Sequence, residues 1–173
     1  MLLANSALLE VVRRGELVID PFSPGCVGAG SIDLHLGSRF RRFAASRNGM
    51  GLIELHDEID ARDFTEEEVL GLGEHFLLRP GELGLAVTRE KVTLAENLAA
   101  TIDCRSRFAR FGLGVACAKH IQPGISSHIV LELTNPGPST LGLPRGLCVC
   151  QLIVYRCEGV GRHNGRHAHQ DAP

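Results

Sequence analysis

From Glu74 to Tyr155 the chain repeats one pattern, short apolar runs set between glycine and proline signals. Phe76 to Leu78, Gly84 to Thr88, Leu98 to Ile102, Val115 to Ala118, Ile129 to Leu133 and Cys148 to Tyr155 are each too short to bury one face of a helix, but they suit strands. Upstream, Ile32, Leu34 and Leu36 alternate with Asp33 and His35, the period of a strand with one buried face, and Gly37 is expected to turn it. Strands at this spacing predict a mainly β fold, a distorted β-barrel or jelly roll.

Helical signals are few. Asn5 or Ser6 is placed to cap a helix over Ala7 to Arg14 that stops at Gly15. The polar insertion from Asp60 to Gly73 is expected to carry a short helix at Thr65 to Leu70, with Thr65 and Glu68 as a capping box, and Asn48 to Gly51 reads as a turn. With 173 residues and 44% hydrophobic content, the chain is long enough for one domain with its own core. That domain is expected to span 1–158, followed by a flexible tail, 159–173.

The polar residues of chemical interest gather between Thr101 and Leu133. Alternation puts Ile129, Leu131 and Leu133 on one face of a strand and His128, Val130 and Glu132 on the other. A carboxylate among Ile, Val and Leu needs a partner or a shifted pKa, and both conditions are common at catalytic sites; a strand with a wet second face gives the same pattern. Arg105, Ser106, Arg107 and Arg110 bring three guanidiniums and a hydroxyl into six residues. Such groups suit the many acceptor oxygens of a polyphosphate, although a solvated helix face or a salt-bridge cluster reads alike.

Five blocks in order resemble the dCTP deaminase branch of the dUTPase-like superfamily: SIDLHLGSRFRRF from Ser31, FLLRPGELGLAVTREKVTL from Phe76, the RSxxAR-x-GL segment at Arg105, I-x-PG followed by IVLEL-x-N, and LPRGLxxxQL ending at Leu152. The resemblance implies hydrolytic deamination of dCTP to dUTP and ammonia. Glu132 would be the general base and acid, Ser106 and Arg110 would lie close to the reacting ring, and Ala118 would position the attacking water through its backbone. Arg105 matches the phosphate-binding motif, with Arg107 beside it at a position that is a serine in the family, Val130 and Leu131 match the strand that reads the pyrimidine edge through its main chain, and Gln151 matches a nucleotide-contacting glutamine. It also implies a homotrimer with sites between neighbouring subunits, and Mg2+ carried by the triphosphate rather than by a protein cage. Lys119 and His120 fall where the hairpin of the pocket meets the pyrimidine, which leaves room for a base-modified substrate.

Three positions depart from the family pattern. Arg107 replaces a second serine and adds charge and bulk to the phosphate turn. Gln122 stands two residues before the glycine of PG, where relatives that hydrolyse the phosphate chain have an aspartate; glutamine is no general base but still hydrogen-bonds a sugar or base edge. After Tyr155 the chain lacks the usual tyrosine, lysine and glutamine tail and carries glycines, arginines and His163, His167 and His169 instead. A dUTP diphosphatase, a bifunctional enzyme and an inactive nucleotide-binding paralogue therefore stand beside the deaminase reading.

Composition narrows the remaining classes. A net charge of −2 argues against broad nucleic-acid binding, so the arginines read as a local site. No apolar run reaches the length of a membrane span, and the N-terminus lacks the basic start of a signal peptide, so no membrane association and a cytoplasmic location are expected. The six cysteines include no CxxC pair, so the combined signature of zinc deaminases is absent and no zinc is expected. Cys148 and Cys150 are spaced to share one strand face, as small core residues.

Overall fold

Twelve consecutive residues, Leu83–Leu94, form the strand on which the molecule is assembled. The computed structural model describes residues 1–43, 52–115, 118–162 and 173. In chain order its elements are α1 (Asn5–Arg13), β1 (Leu17–Asp20), β2 (Ile32–Phe43), β3 (Thr65–Val69), β4 (His75–Leu78), β5 (Leu83–Leu94), β6 (Leu98–Cys104), α2 (Ser106–Ala109), β7 (Gly114–Val115), β8 (His120–Ile121), β9 (Ser126–Thr134), β10 (Leu141–Pro144) and β11 (Cys148–Arg156). The mainly β architecture expected from the apolar runs is what forms. Nine strands make one curled sheet in the order β7-β9-β5-β2-β11-β6-β8, with β1 added to β5 and β3 to β2, while β10 and β4 form a separate pair. All of these pairings are antiparallel.

β5 is central because it pairs with three partners: with β9 over Leu83 to Thr93, with β2 near its start and with β1 near its end. Leu85, Ala86 and Val87 are consecutive and all buried, as expected of a strand covered on both faces. The core is continuous, running from Leu8 and Val11 of α1 through Leu34, Leu36 and Phe40 of β2 to Leu131, Leu133 and Val154. Phe40 and Phe76 stack with centroids 4.8 Å apart, and the Arg42 guanidinium caps the outer ring at 4.3 Å.

Several local expectations are corrected. Thr65 to Val69 is strand β3 rather than a helix, because Glu66, Glu67 and Glu68 stand opposite Arg42, Arg41 and Phe40 on β2, where charge pairing favours an added strand. Arg39 reaches Glu67 at 2.7 Å, Arg42 approaches Glu68 at 3.6 Å, and Thr65 Oγ1 accepts from Arg41 Nε, so no capping box forms. The helical turn of this insertion is shorter and earlier, Ala61–Asp63, capped by Asp60. α1 begins at Asn5 without a side-chain cap; the Asn5 amide donates to Val27 O and Gly28 O and ties the helix to the following loop.

Gly37 does not turn the chain but lies inside β2, where the β2–β5 register shifts between Leu36 and Phe40; a Cβ there would meet Val87 O at 3.1 Å. Cys148 and Cys150 do not share a face, because a register shift between them pairs Cys148 with His35 and Cys150 with Leu34. Cys150 is buried with Leu34, whereas Cys148 is half-buried with the polar side of β2. The turn expected at Asn48 to Gly51 and His163, His167 and His169 of the tail lie outside the described residues. Gly161 donates to Glu96 O at 2.9 Å. No helix among the described residues is long and apolar enough to cross a membrane.

Close packing makes one glycine a sensitive probe of this core. A Cβ on Gly84 would lie 2.8 Å from the Phe76 ring, which is held between Phe40 and Arg42. Gly84→Ala is expected to cost roughly 1–3 kcal/mol by overpacking, read as a lower urea midpoint; an unchanged midpoint would show that the ring yields freely.

Candidate active site

β9 carries the central carboxylate, and the strict alternation of burial along it fixes where that carboxylate points. Ser127, Ile129, Leu131 and Leu133 are buried, while His128, Val130 and Glu132 are half-buried on the opposite face, as the sequence pattern requires. Glu132 stands opposite Leu85 and Val130 opposite Val87, so the carboxylate sits on an apolar floor. Its Oε2 accepts from the backbone N–H of Ala118 at 3.4 Å. The Leu131 side chain is fully buried in the core, so only its main chain is available to a ligand.

A second group forms around an acid that sequence reasoning passed over. Asp33, half-buried on β2, accepts from Gln151 Nε2 at 3.1 Å and forms an ion pair with the Arg105 guanidinium. The register explains why these residues meet: Gln151 of β11 stands opposite Asp33 of β2 on one side and opposite Asp103 of β6 on the other. Three polar side chains thus form a row across neighbouring strands, and Lys119 extends it by pairing with Asp103 at 2.7 Å. Alternation with Ile32 and Leu34 placed Asp33 away from the core, but its partners lie 72 and 118 residues further along the chain.

Arg105 is held at both ends. Its backbone N–H donates to Val149 O at 2.9 Å, and its Nη1 also donates to Cys148 Sγ at 3.0 Å. Its side chain is therefore oriented before any ligand arrives. Burial, only partly offset by the adjacent Arg105, pushes the Cys148 thiol upward, so at neutral pH the sulfur is uncharged and Asp33 supplies the charge that Arg105 meets. The rest of the phosphate turn faces outward: Ser106, Arg107 and Arg110 are exposed on or beside α2, and the Arg107 guanidinium lies 5.3 Å over the Phe108 ring. Gln122 is exposed just past β8. Within one chain the structure thus brings Glu132 to Ala118 and Arg105 to Gln151.

No group of three His, Cys, Asp or Glu side chains among the described residues is arranged to hold a metal ion. The acids present are Glu132 on its apolar floor, Asp33 already committed to Arg105 and Gln151, and Asp103 paired with Lys119. The donors are guanidiniums, a hydroxyl and backbone N–H groups. This set suits an anionic ligand with a polar ring, able to engage hydrogen bonds at one end and cations at the other.

Comparison with known proteins agrees with this fold. The dCTP deaminase-like family model matches residues 2–157, and the chain belongs to that family. A dUMP-forming dCTP deaminase of Methanobrevibacter smithii is 32% identical over 154 residues, which cover 88% of this chain and 78% of that one. A dCTP deaminase of Halorubrum lacusprofundi is 32% identical over 183 residues, covering 100% of this chain and 89% of its own. Among solved structures, the 2'-deoxycytidine 5'-triphosphate deaminase from Agrobacterium tumefaciens shares the fold with a TM-score of 0.67 at 19% identity. That match takes in 88% of this chain and 47% of the other, so the chain spans about half the length of that relative.

The thiols give a direct check on the site geometry. Burial raises the Cys104, Cys148 and Cys150 thiols, Cys150 most of all, and so lowers the thiolate fraction at any given pH. Iodoacetamide at pH 7.5, followed by peptide mass spectrometry, is expected to leave Cys150 unmodified in the folded protein and to modify Cys148 more slowly than after unfolding. Modification of Cys148 at the unfolded rate would mean that its burial beside Asp33 and Arg105 is not kept in solution.

Proposed function

We propose that this protein deaminates dCTP hydrolytically at C4 of the cytosine ring, releasing ammonia and leaving dUTP. The observation that carries the reading is Glu132, turned off the core by the β9 alternation and joined to the Ala118 backbone, within a chain of the dCTP deaminase-like family. Glu132 takes a proton from the water that attacks C4 and delivers it to ring N3 as the C–O bond forms. The remaining hydroxyl proton then passes through the same carboxylate to the exocyclic nitrogen, and the C–N bond breaks as C4=O forms and ammonia leaves. A single carboxylate serves because both proton transfers occur at one carbon.

The other residues divide the remaining work. The Ala118 backbone positions the water, and Ser106 and Arg110 stabilise charge developing on the ring. Arg105 and Arg107 meet the phosphates, Gln122 and Gln151 hydrogen-bond the nucleotide, and the main chain of Val130 and Leu131 reads the pyrimidine edge. Asp33 acts through Arg105 and Gln151 as a positioning residue. Magnesium travels on the triphosphate oxygens as part of the substrate. The working form is a homotrimer with each site shared between copies, supported by the exposure of Ser106, Arg110 and Gln122 on the single chain.

A second reading extends the reaction to dUMP and pyrophosphate, favoured by the dUMP-forming activity named for the M. smithii relative. Gln122 opposes it, because an amide does not activate water for attack on a phosphorus. Incubation with dCTP, CTP and dUTP in magnesium, with ammonia, dUTP, dUMP and pyrophosphate resolved, separates these readings. Ammonia with dUTP is expected; dUMP with pyrophosphate would move the conclusion to the second reading, and binding without product would leave only a nucleotide-binding protein.

Two substitutions test the roles. Glu132→Gln keeps the shape and removes the base, so kcat is expected to fall roughly 10²–10⁴-fold with binding retained. Asp33→Asn leaves Arg105 without its charge partner, and KM is expected to rise about tenfold with a smaller change in kcat. A fall in kcat alone at Asp33 would place it in the chemistry rather than in positioning.

A further inference from the structure

The two register shifts of β5 fall next to one another, and a basic concavity lies over them. The β2–β5 ladder slips between Leu36 and Phe40, and the β5–β9 ladder slips between Val87 and Lys91. The cavity above them has a volume of about 320 Å³ and is walled by Ser38, Arg39, Arg89, His128 and Arg145, with the backbone of Gly146 at its rim. Its lining contains three arginines and no carboxylate. Glu132 is not part of it: His128 precedes Glu132 by four positions on β9, a separation of roughly 13 Å at strand rise.

The three guanidiniums are unequally occupied. Arg39 engages Glu67 through Nε, and Arg89 engages the buried Glu90 through Nε and Nη2, so each retains further N–H donors. Glu90 is in turn held by the backbone N–H and ring Nδ1 of His35, both at 2.8 Å, which anchors the Arg89 side of the wall. Arg145, exposed on the turn between β10 and β11, has no ion pair or hydrogen bond among the described residues. His128 is oriented with Nδ1 donating to Thr88 O at 2.9 Å. Two carboxylates thus engage two of the three arginines, and no carboxylate stands in the lining itself, the arrangement that multiply charged oxyanions require.

We propose that this cleft is a second anion site, selective for a polyphosphate chain and separate from the site at Glu132. Arg145 is the principal cation, with Arg39 and Arg89 closing on the chain from the β2 and β5 sides and Ser38 Oγ donating between them. Divalent or higher charge is favoured over monovalent anions because three guanidiniums converge there. Binding weakens as salt rises, since the wall is open to solvent.

Inorganic tripolyphosphate titrated into the assembled protein by calorimetry tests this site. An Arg105→Ala/Arg107→Ala background removes the guanidiniums assigned to the phosphates at the Glu132 site and leaves the cleft intact. In that background tripolyphosphate is expected still to bind, and adding Arg145→Ala is expected to weaken it about tenfold or more, the loss of a charge-assisted contact. Arg145→Lys is expected to recover part of the affinity. Loss of all binding in the Arg105→Ala/Arg107→Ala background would overturn the proposal, as would tripolyphosphate binding that ignores Arg145→Ala. A changed oligomeric state of Arg145→Ala in sedimentation, without a change in tripolyphosphate affinity, would also overturn it by making this face a subunit contact.

Discussion

The position of every functional group on β9 depends on one buried hydroxyl. Thr88 lies where β5 slips its register against both neighbours, and its Oγ1 donates to Glu90 O at 2.7 Å and accepts from Ile129 N at 2.9 Å. The irregular stretch of β5 is thereby stitched to the regular strand beside it, and the buried polar atoms there are satisfied. Side chains alternate along β9 with a period of two, so a slip of one residue would send Glu132 into the core and Leu131 out of it. β5 takes up two extra residues against β9 around Thr88, an even number, so the alternation that buries Ile129, Leu131 and Leu133 and turns Glu132 to the other face is kept through the irregularity.

The same irregularity organises the molecule in two directions. Toward the start of β9's outward face it opens the basic cleft at His128, Arg89 and Arg145; further along, the restored ladder delivers Val130 and Glu132. β11 performs the corresponding service on the Arg105 side. By pairing with β2 and β6 at once, it lines up Asp33, Gln151 and Asp103, and its own bulge at Cys148 turns the sulfur toward Arg105. Both halves of the site thus rest on ladders that are regular where side chains must be aimed and broken where the chain must make room.

Much of this was legible in the chain itself. Apolar runs between glycines and prolines signalled a mainly β fold, and alternation placed Glu132 opposite the core face. The ordered blocks around Arg105 and Glu132 carried the family. The errors share one cause, since they concern segments whose state is decided by what lies across from them. Thr65 to Val69 has a local helix signature, yet the arginines of β2 make three successive glutamates worth more in a strand. Gly37 and the Cys148–Cys150 pair were misread because a bulge within their own strand breaks the alternation, and only pairing with the neighbouring strand reveals it.

The sequence by itself determined which residue types face the core and which chemistry is present, because hydrophobic period and covalent identity are local properties. Only the tertiary structure decided which polar groups meet. Asp33 reaches Arg105 and Gln151 because β11 pairs with both β2 and β6. Arg39, Arg89 and Arg145 come to surround one cleft because two register shifts coincide on β5. Pairing across a sheet is fixed by the summed packing of the whole core, and residues tens of positions apart have no physical reason to be neighbours until that core has formed.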